Sequence, residues 1–230
     1  MQLEKKRMRS FLFLDASTCE VGGMACHNGK LKEFLWKTKH DFAARIPEMF
    51  DQMLSKVDAK FEEIDLLAVG TGPGSLTGLR VAACFCRTIC QVSGKPLLGI
   101  SLFEWAIATL CAQGELPPYR LSIPYIRDTL FSIVIPVDSF SHLHGPVFDK
   151  SILHEKLEII NKKFECKEIK HFGIKYSDEG IARLNLDYKP LEAYINSLAL
   201  DCSRSSLFSV LPLYVAPSIA EINLGIKGNI

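Results

Sequence analysis

The segment Gly70-Thr71-Gly72-Pro73-Gly74-Ser75-Leu76-Thr77-Gly78-Leu79-Arg80 carries the residue types and spacing most suited to chemistry in this chain. It joins an apolar, strand-like run, Ile64 to Val69, to an apolar, helix-like run, Leu79 to Val92. A turn of this kind exposes backbone N–H groups at a helix start, where they can hold an anion or a partner's backbone. The glycines permit backbone angles that other residues avoid, Pro73 fixes one φ, and Ser75 or Thr77 can cap the helix. A Walker A loop, however, needs a Lys-Ser/Thr pair after its second glycine, and a dinucleotide fingerprint spaces its glycines differently. Here Gly78 is followed by Leu79. The loop by itself fits either a ligand-holding turn or a tight strand-to-helix connection.

Asp15 ends an earlier apolar run and is followed by Ser17 and Thr18, a set that suits a phosphate or metal site and equally the closing of a β-turn. Together with Gly72, Gly74, Ser75 and Thr77, these residues make a candidate vestigial anion or nucleotide loop. No other catalytic pattern is present. None of His27, His40, His142, His144, His154 and His171 stands in His-Glu-x-x-His spacing, and the pair His142-Leu143-His144 lies in a polar, loop-like stretch. Cys84-x-Cys86 falls on different faces of a helix. In Gly74-Ser75-Leu76-Thr77-Gly78 the serine follows its glycine directly, unlike a nucleophile elbow. The expectation is no catalytic residue, no metal and no cofactor of the chain's own.

The elements that must position these residues follow from periodicity. Ser10 to Ala16 is a dense apolar run, Val21 to His27 a second strand, and Asn28-Gly29 a hairpin signal leading to a third strand, Leu31 to Thr38. Phe42, Ile46, Met49, Phe50, Met53, Leu54 and Val57 recur at helical spacing, with Asp41 placed to cap and Pro47 one turn inside. Then come a strand over Ile64 to Gly70, the glycine loop, the Leu79 to Val92 helix closed by Gly94, and a strand over Pro96 to Ile100. Ser101 to Ala112 forms a helix with Ser101 and Glu104 in capping-box positions. The order βββαβαβ is that of ribonuclease-H-like domains, which pair in tandem in actin-like proteins.

Gln113 to Arg120, with Gly114 and Pro117-Pro118, marks a boundary between an N-terminal lobe, residues 1–112, and a divergent C-terminal lobe, residues 113–230. The second lobe predicts strands over Leu121 to Arg127, Leu130 to Val137 and near Pro146 to Phe148, then a helix from Ser151 to about Phe164. Beyond these come a strand over Glu168 to Ile174, a helix over Pro190 to Leu200 and a short strand over Leu211 to Val215. This lobe carries no second glycine-rich nucleotide segment, which argues against an ATPase.

The Leu79 to Val92 helix is apolar or small almost all round apart from Arg80, Arg87, Thr88 and Gln91. One face must pack on its own sheet, and the other is expected to present Ala82, Cys86 and Cys90 at four-residue spacing to a second layer of protein. That layer is either the second lobe or a partner. Leu79, Ala83, Phe42, Ala43, Ile46 and Met49 extend the candidate partner surface, so that two helices would meet two.

The bulk composition fits this picture. The chain has 230 residues, 48% of them hydrophobic and 23% charged, with a formal net charge of +1, which gives no general pull toward nucleic acid. The basic residues Lys5, Lys6, Arg7 and Arg9 precede an apolar run too short for a signal-peptide core, which predicts a cytoplasmic protein. Its eight cysteines show no staple pattern and are expected to be reduced.

At Gly70 to Arg80 the chain resembles the bacterial TsaB (YeaZ) family of the tRNA threonylcarbamoyladenosine system, whose usual pattern is Gly-x-Gly-Pro-Gly-Ser-Phe-Thr-Gly-Leu/Val-Arg; Leu76 replaces the aromatic. Leu14-Asp15-Ala16-Ser17-Thr18 is similar to the family's first-strand motif. His40 and Pro47 stand at its first helix, and Lys95 to Ser101 continues the likeness. In the second half Tyr125 precedes Ile126-Arg127 where the family has Asp-Ala-Arg, and Val215-Ala216 follows Pro212-Leu213-Tyr214 where it has Leu-Arg. The resemblance implies an actin-like fold of two lobes, related to TsaD but without TsaD's metal-binding histidines. It implies a non-catalytic scaffold that pairs with TsaD through the two N-lobe helices, joins TsaE in a ternary complex, self-pairs through the same surface and meets tRNA only through the complex. ATP and Mg²⁺ would be used by the partners. The alternative is an enzyme, an actin-like ATPase or a glycoprotease-type peptidase.

Overall fold

The computed structural model describes residues 9–18, 20–37, 41–125, 128–137, 140–141, 147–148, 157–162, 168–198 and 210. The chain divides into two compact units, Met1–Ile100 with Ile195–Leu213, and Ser101–Tyr194 with Tyr214–Ile230. The division falls at Ser101, so the helix that follows belongs to the second unit rather than to a lobe ending at residue 112.

In the first unit, β1 (Phe11–Asp15), β2 (Glu20–His27) and β3 (Lys30–Lys37) run antiparallel in succession. The β2–β3 turn is made by Asn28 and Gly29, with φ of 50° and 78°, the positive angles a two-residue hairpin requires. Helix α1 (Phe42–Lys56) turns Ile46, Met49, Phe50 and Met53 inward. It runs through Pro47, which cannot donate to the carbonyl of Ala43. Asp41 stands at the N-cap position but makes no capping bond from its side chain, and pairs instead with Arg45 at 3.8 Å. A 3-10 turn at Phe61–Glu63 leads into β4 (Leu66–Gly72), parallel to β1. Helix α2 (Leu76–Ser93) ends on Gly94 at φ 68°, the left-handed stop its sequence predicts, and β5 (Leu97–Ser101) completes a sheet of order β3-β2-β1-β4-β5.

The second unit begins with α3 (Leu102–Ala112), whose predicted capping box forms: Ser101 Oγ accepts from Glu104 N at 3.0 Å, and Glu104 Oε2 accepts from Ser101 N at 2.7 Å. Trp105 Nε1 donates to Asp187 O at 2.7 Å and Tyr194 Oη donates to Glu104 Oε1 at 2.7 Å, which tie α3 to this unit. Its strands are β6 (Tyr119–Pro124), β7 (Thr129–Ile135), the small pair β8 (Phe140–Ser141) and β9 (Val147–Phe148), then β10 (Glu158–Asn161), β11 (Lys170–Ile174) and β12 (Ala182–Leu184), followed by α4 (Tyr188–Leu198). The main sheet has the order β10-β7-β6-β11-β12. Counted within that sheet this is 3-2-1-4-5, the same as in the first.

Two expectations need correction. Residues 158–161, expected at the end of a helix, form β10, because Ile160 is buried and pairs with Leu130 of β7. Strand β12 was not anticipated; it is three residues long, too short to show a period. The strand expected over Leu211 to Val215 lies outside the described residues, as do His40, His142 and His144, Ile126-Arg127 and Pro212 to Tyr214.

Candidate functional site

The structure brings the candidate loop residues together. β1 and β4 are adjacent and parallel, so the turn after Asp15 and the glycine loop after β4 leave the same edge of the sheet. Asp15 and Ser17 are almost wholly buried. Asp15 Oδ2 accepts from Ser17 Oγ at 2.7 Å and Oδ1 from Ser17 N at 3.3 Å, so the carboxylate closes its own turn. Ser17 O accepts from Ser75 N at 2.7 Å, and the Ser75 hydroxyl accepts from Gly78 N at 3.3 Å as the cap of α2. Thr18 Oγ1 donates to Glu20 O at 2.7 Å, and Gly74, Ser75 and Thr77 are exposed.

The glycines serve close approach more than unusual angles. Of the loop, only Gly72 has positive φ, at 91°. A Cβ on Gly70 would collide with Asp15 Oδ1, one on Gly74 with Ser17 O and one on Gly78 with Ala16 O. Three glycines at four-residue spacing thus lie under three consecutive residues of the β1 turn.

The expected partner stripe is on the wrong side of α2. Ala82, Cys86 and Cys90 are each 0% exposed and pack in the core with Leu12, Leu14, Ile46 and Val69. Leu79, Ala83, Ile46 and Met49 are buried too, which leaves only half-buried Phe42 and exposed Ala43 of the residues expected at the surface. Burial pushes the Cys86 thiol well above its ordinary range and Cys90 up to about 11, so both are inert.

The outward arc carries Thr77, Val81, Cys84, Thr88 and Val92 together with exposed Arg80 and Gln91, with Val92 84% exposed and Val81 half-buried. Phe85 flanks this arc and meets Phe50 of α1 edge to face at 5.0 Å. The sequence held the signal: at 100° per residue, Arg80, Thr88 and Gln91 share the arc of Cys84 and stand opposite Cys86, and polar residues mark the solvent side.

A second polar cluster escaped the sequence reading. On one face of the second sheet, Arg120, Ser122, Ser132 and His171 are all buried. Ser122 Oγ lies 2.7 Å from His171 Nε2 and donates to Ser132 Oγ at 2.9 Å. Arg120 Nη1 donates to Ser132 Oγ at 3.0 Å and pairs with Glu158. Burial, with the Arg120 charge beside it, lowers the His171 pKa to about 4. These residues are separated by up to about fifty positions, so only the register of β6, β7, β10 and β11 unites them. Their mutual hydrogen bonds engage both serine hydroxyls and Nε2 of the imidazole. Among the described residues no group of three or more His, Cys, Asp or Glu is placed to hold a metal ion, and no helix is long and apolar enough to cross a membrane.

Two ribonuclease-H-like units in one chain define a protein of the actin-like fold class. Comparison narrows the class. The fold matches YeaZ from Pseudomonas aeruginosa at a TM-score of 0.62 and 16% identity, covering 90% of this chain and 100% of that one. A protein with similarity to peptidase YeaZ from the same organism matches at 0.68 and 17%, with the same coverage. The family TsaD, tRNA N6-adenosine threonylcarbamoyltransferase, matches residues 37–125. A threonylcarbamoyltransferase of that name from Thermodesulfovibrio yellowstonii is 33% identical over 72 residues, 31% of this chain and 22% of its own length. The tRNA threonylcarbamoyladenosine biosynthesis protein TsaB of Haemophilus influenzae is 29% identical over 92 residues, 40% of this chain and 39% of its own length. The chain therefore spans well under half the length of the curated relatives it matches. The resemblance to the TsaB (YeaZ) family carried by the glycine loop is borne out, in a chain with the YeaZ fold.

Proposed function

We propose that this protein acts in tRNA threonylcarbamoyladenosine synthesis as a TsaB-type, non-catalytic scaffold that pairs with a TsaD-type threonylcarbamoyltransferase in the cytoplasm. The observation that carries the reading is where the sequence likeness falls: residues 37–125 contain α1, the glycine loop and α2. The outward face of α2 carries short side chains, Thr77, Val81, Cys84, Thr88 and Val92, alongside the longer Arg80 and Gln91, and the short ones let a partner helix approach closely. Ala43, Ala44 and Pro47 offer a similarly short, uncharged surface on α1. TsaE joins the pair, the same helix face supports self-pairing when the partner is absent, and tRNA is met through the assembly. ATP and Mg²⁺ are the partners' substrates.

The test is pairing with a TsaD-type protein after Cys84→Glu and Thr88→Arg. Both sites are exposed, so the thermal midpoint stays within about a degree or two. The affinity falls about a hundredfold or more, as expected of a charge buried without a counter-charge. A complex unaffected by both substitutions removes this interface. Reconstituted tRNA modification with TsaD and TsaE that proceeds equally without this chain removes the scaffold role.

A further inference from the structure

The turn after β1 and the glycine loop leave no slack between them. Gly70, Gly74 and Gly78 have backbone or carboxylate oxygens of Asp15, Ser17 and Ala16 where a Cβ would stand. Both carboxylate oxygens of Asp15 accept from Ser17, and the Ser17 carbonyl accepts the amide of Ser75. Ser75 in turn fixes two positions of the first helical turn, its hydroxyl accepting from Gly78 N and its carbonyl from Leu79 N at 2.9 Å. A continuous run of hydrogen bonds therefore connects a buried carboxylate on β1 to the start of α2. The residue types that could have held a phosphate are engaged with one another.

We propose that Asp15 and Ser17 are positioning residues, a lock that fixes the first turn of α2 and thereby presents the Thr77–Val81–Cys84 end of the outward face in its pairing geometry. This rests on the proposed pairing with a TsaD-type protein. The physical case has three parts. A helix start has orphan amides and frays unless they are held. Hydrogen bonds in a buried setting, where the local dielectric is low, are the stronger ones. A surface held in its bound conformation before association avoids the ordering cost on binding. The lock also accounts for the glycine spacing: any side chain at positions 70, 74 or 78 would push the loop off the turn.

Asp15→Asn keeps the shape and replaces one accepting oxygen with an NH₂ donor, and Ser17→Ala removes the hydroxyl bond while keeping the carbonyl that holds Ser75. Ser75→Ala, which removes the cap alone, is the control. Amide hydrogen exchange of the free, full chain is the first readout. Exchange at Gly78 and Leu79 rises about tenfold or more in both lock variants, whereas Cys90 and Gln91 at the far end of α2 keep their wild-type rates. The second readout is affinity for the TsaD-type protein, which weakens about fivefold or more without any change in the outward side chains. Unchanged exchange at Gly78 and Leu79 overturns the lock. Faster exchange with unchanged affinity overturns its link to pairing. If the wild-type chain binds no TsaD-type protein the pairing proposal fails, and exchange alone then decides for or against the lock. Should Asp15→Asn fail to fold, Ser17→Ala carries the same test.

Discussion

In the first sheet β1 presents Phe11, Leu12, Phe13 and Leu14 in succession, none more than 1% exposed, whereas in the second sheet β6 alternates Tyr119, Leu121 and Ile123 with Arg120 and Ser122. Both strands are central and stand at the same place in the same strand order. A continuous apolar run is what a strand covered on both faces requires. The β6 alternation ordinarily denotes one wet face, yet Arg120, Ser122 and their partners Ser132 and His171 are buried as well. The same topology thus stands on two different interiors. One is held by non-directional apolar packing, which tolerates adjustment. The other adds a network of directional bonds, each costly to leave unmade.

The largest expected effect tests the apolar interior. Cys86→Glu places a carboxylate at a site with 0% exposure among Leu12, Leu14 and Ile46, and costs about 3–5 kcal/mol. Ala82→Arg is expected to do at least as much damage, through overpacking together with a buried, unpaired charge. Urea denaturation followed at Trp36, in the first unit, reads the loss; single-tryptophan variants separate it from Trp105, in the second. A wild-type midpoint for Cys86→Glu would mean that the stripe faces outward after all.

The next effect belongs to the polar interior and depends on pH. The His171 pKa is lowered from 6.5 to about 4, chiefly by burial and then by Arg120. Between those values the unfolded chain binds more protons than the folded one, so the stabilisation is complete above about pH 6.5 and is lost as pH falls toward 4. The loss is at most about 3 kcal/mol by pH 4. Urea midpoints read at Trp105 should fall over this range, and His171→Gln should flatten that slope. An equal fall at Trp36 and Trp105 in wild type and variant would place the acid sensitivity elsewhere.

The smallest effect compares the two helix starts. Ser101→Ala removes one half of a reciprocal, buried capping box and costs about 1 kcal/mol. Ser75→Ala removes an exposed bond of 3.3 Å and should cost about half as much. Thermal midpoints of the two variants, measured side by side, give the order.

The chain as far as α3 was largely legible in the sequence because its signals are local. Asn28-Gly29, Gly94 and the Ser101/Glu104 box each act within a few residues, and the structure shows all three. The α2 stripe was misassigned because a helix apolar nearly all round offers two candidate inner faces; the arc of Arg80, Thr88 and Gln91 was the deciding feature. Asp41 illustrates a different limit: a residue suited to capping was placed correctly but took Arg45 as its partner. The contacts of the glycine loop with Asp15 to Ser17 depend on β1 and β4 being neighbours, and those of His171 with Ser122 on β11 lying beside β6. No spacing along the chain encodes such pairs.

The first unit is not continuous in the chain. Val210 belongs to its core, its side chain lies against Gly99 and its carbonyl accepts from Arg87, while Asn196 Oδ1 accepts from Arg9 N at 3.2 Å. During synthesis the first hundred residues therefore leave the ribosome without pieces that arrive more than ninety residues later. The unit that starts first is completed only after most of the second has been made, and a fragment ending at Ile100 would lack the Val210 plug and be correspondingly less stable.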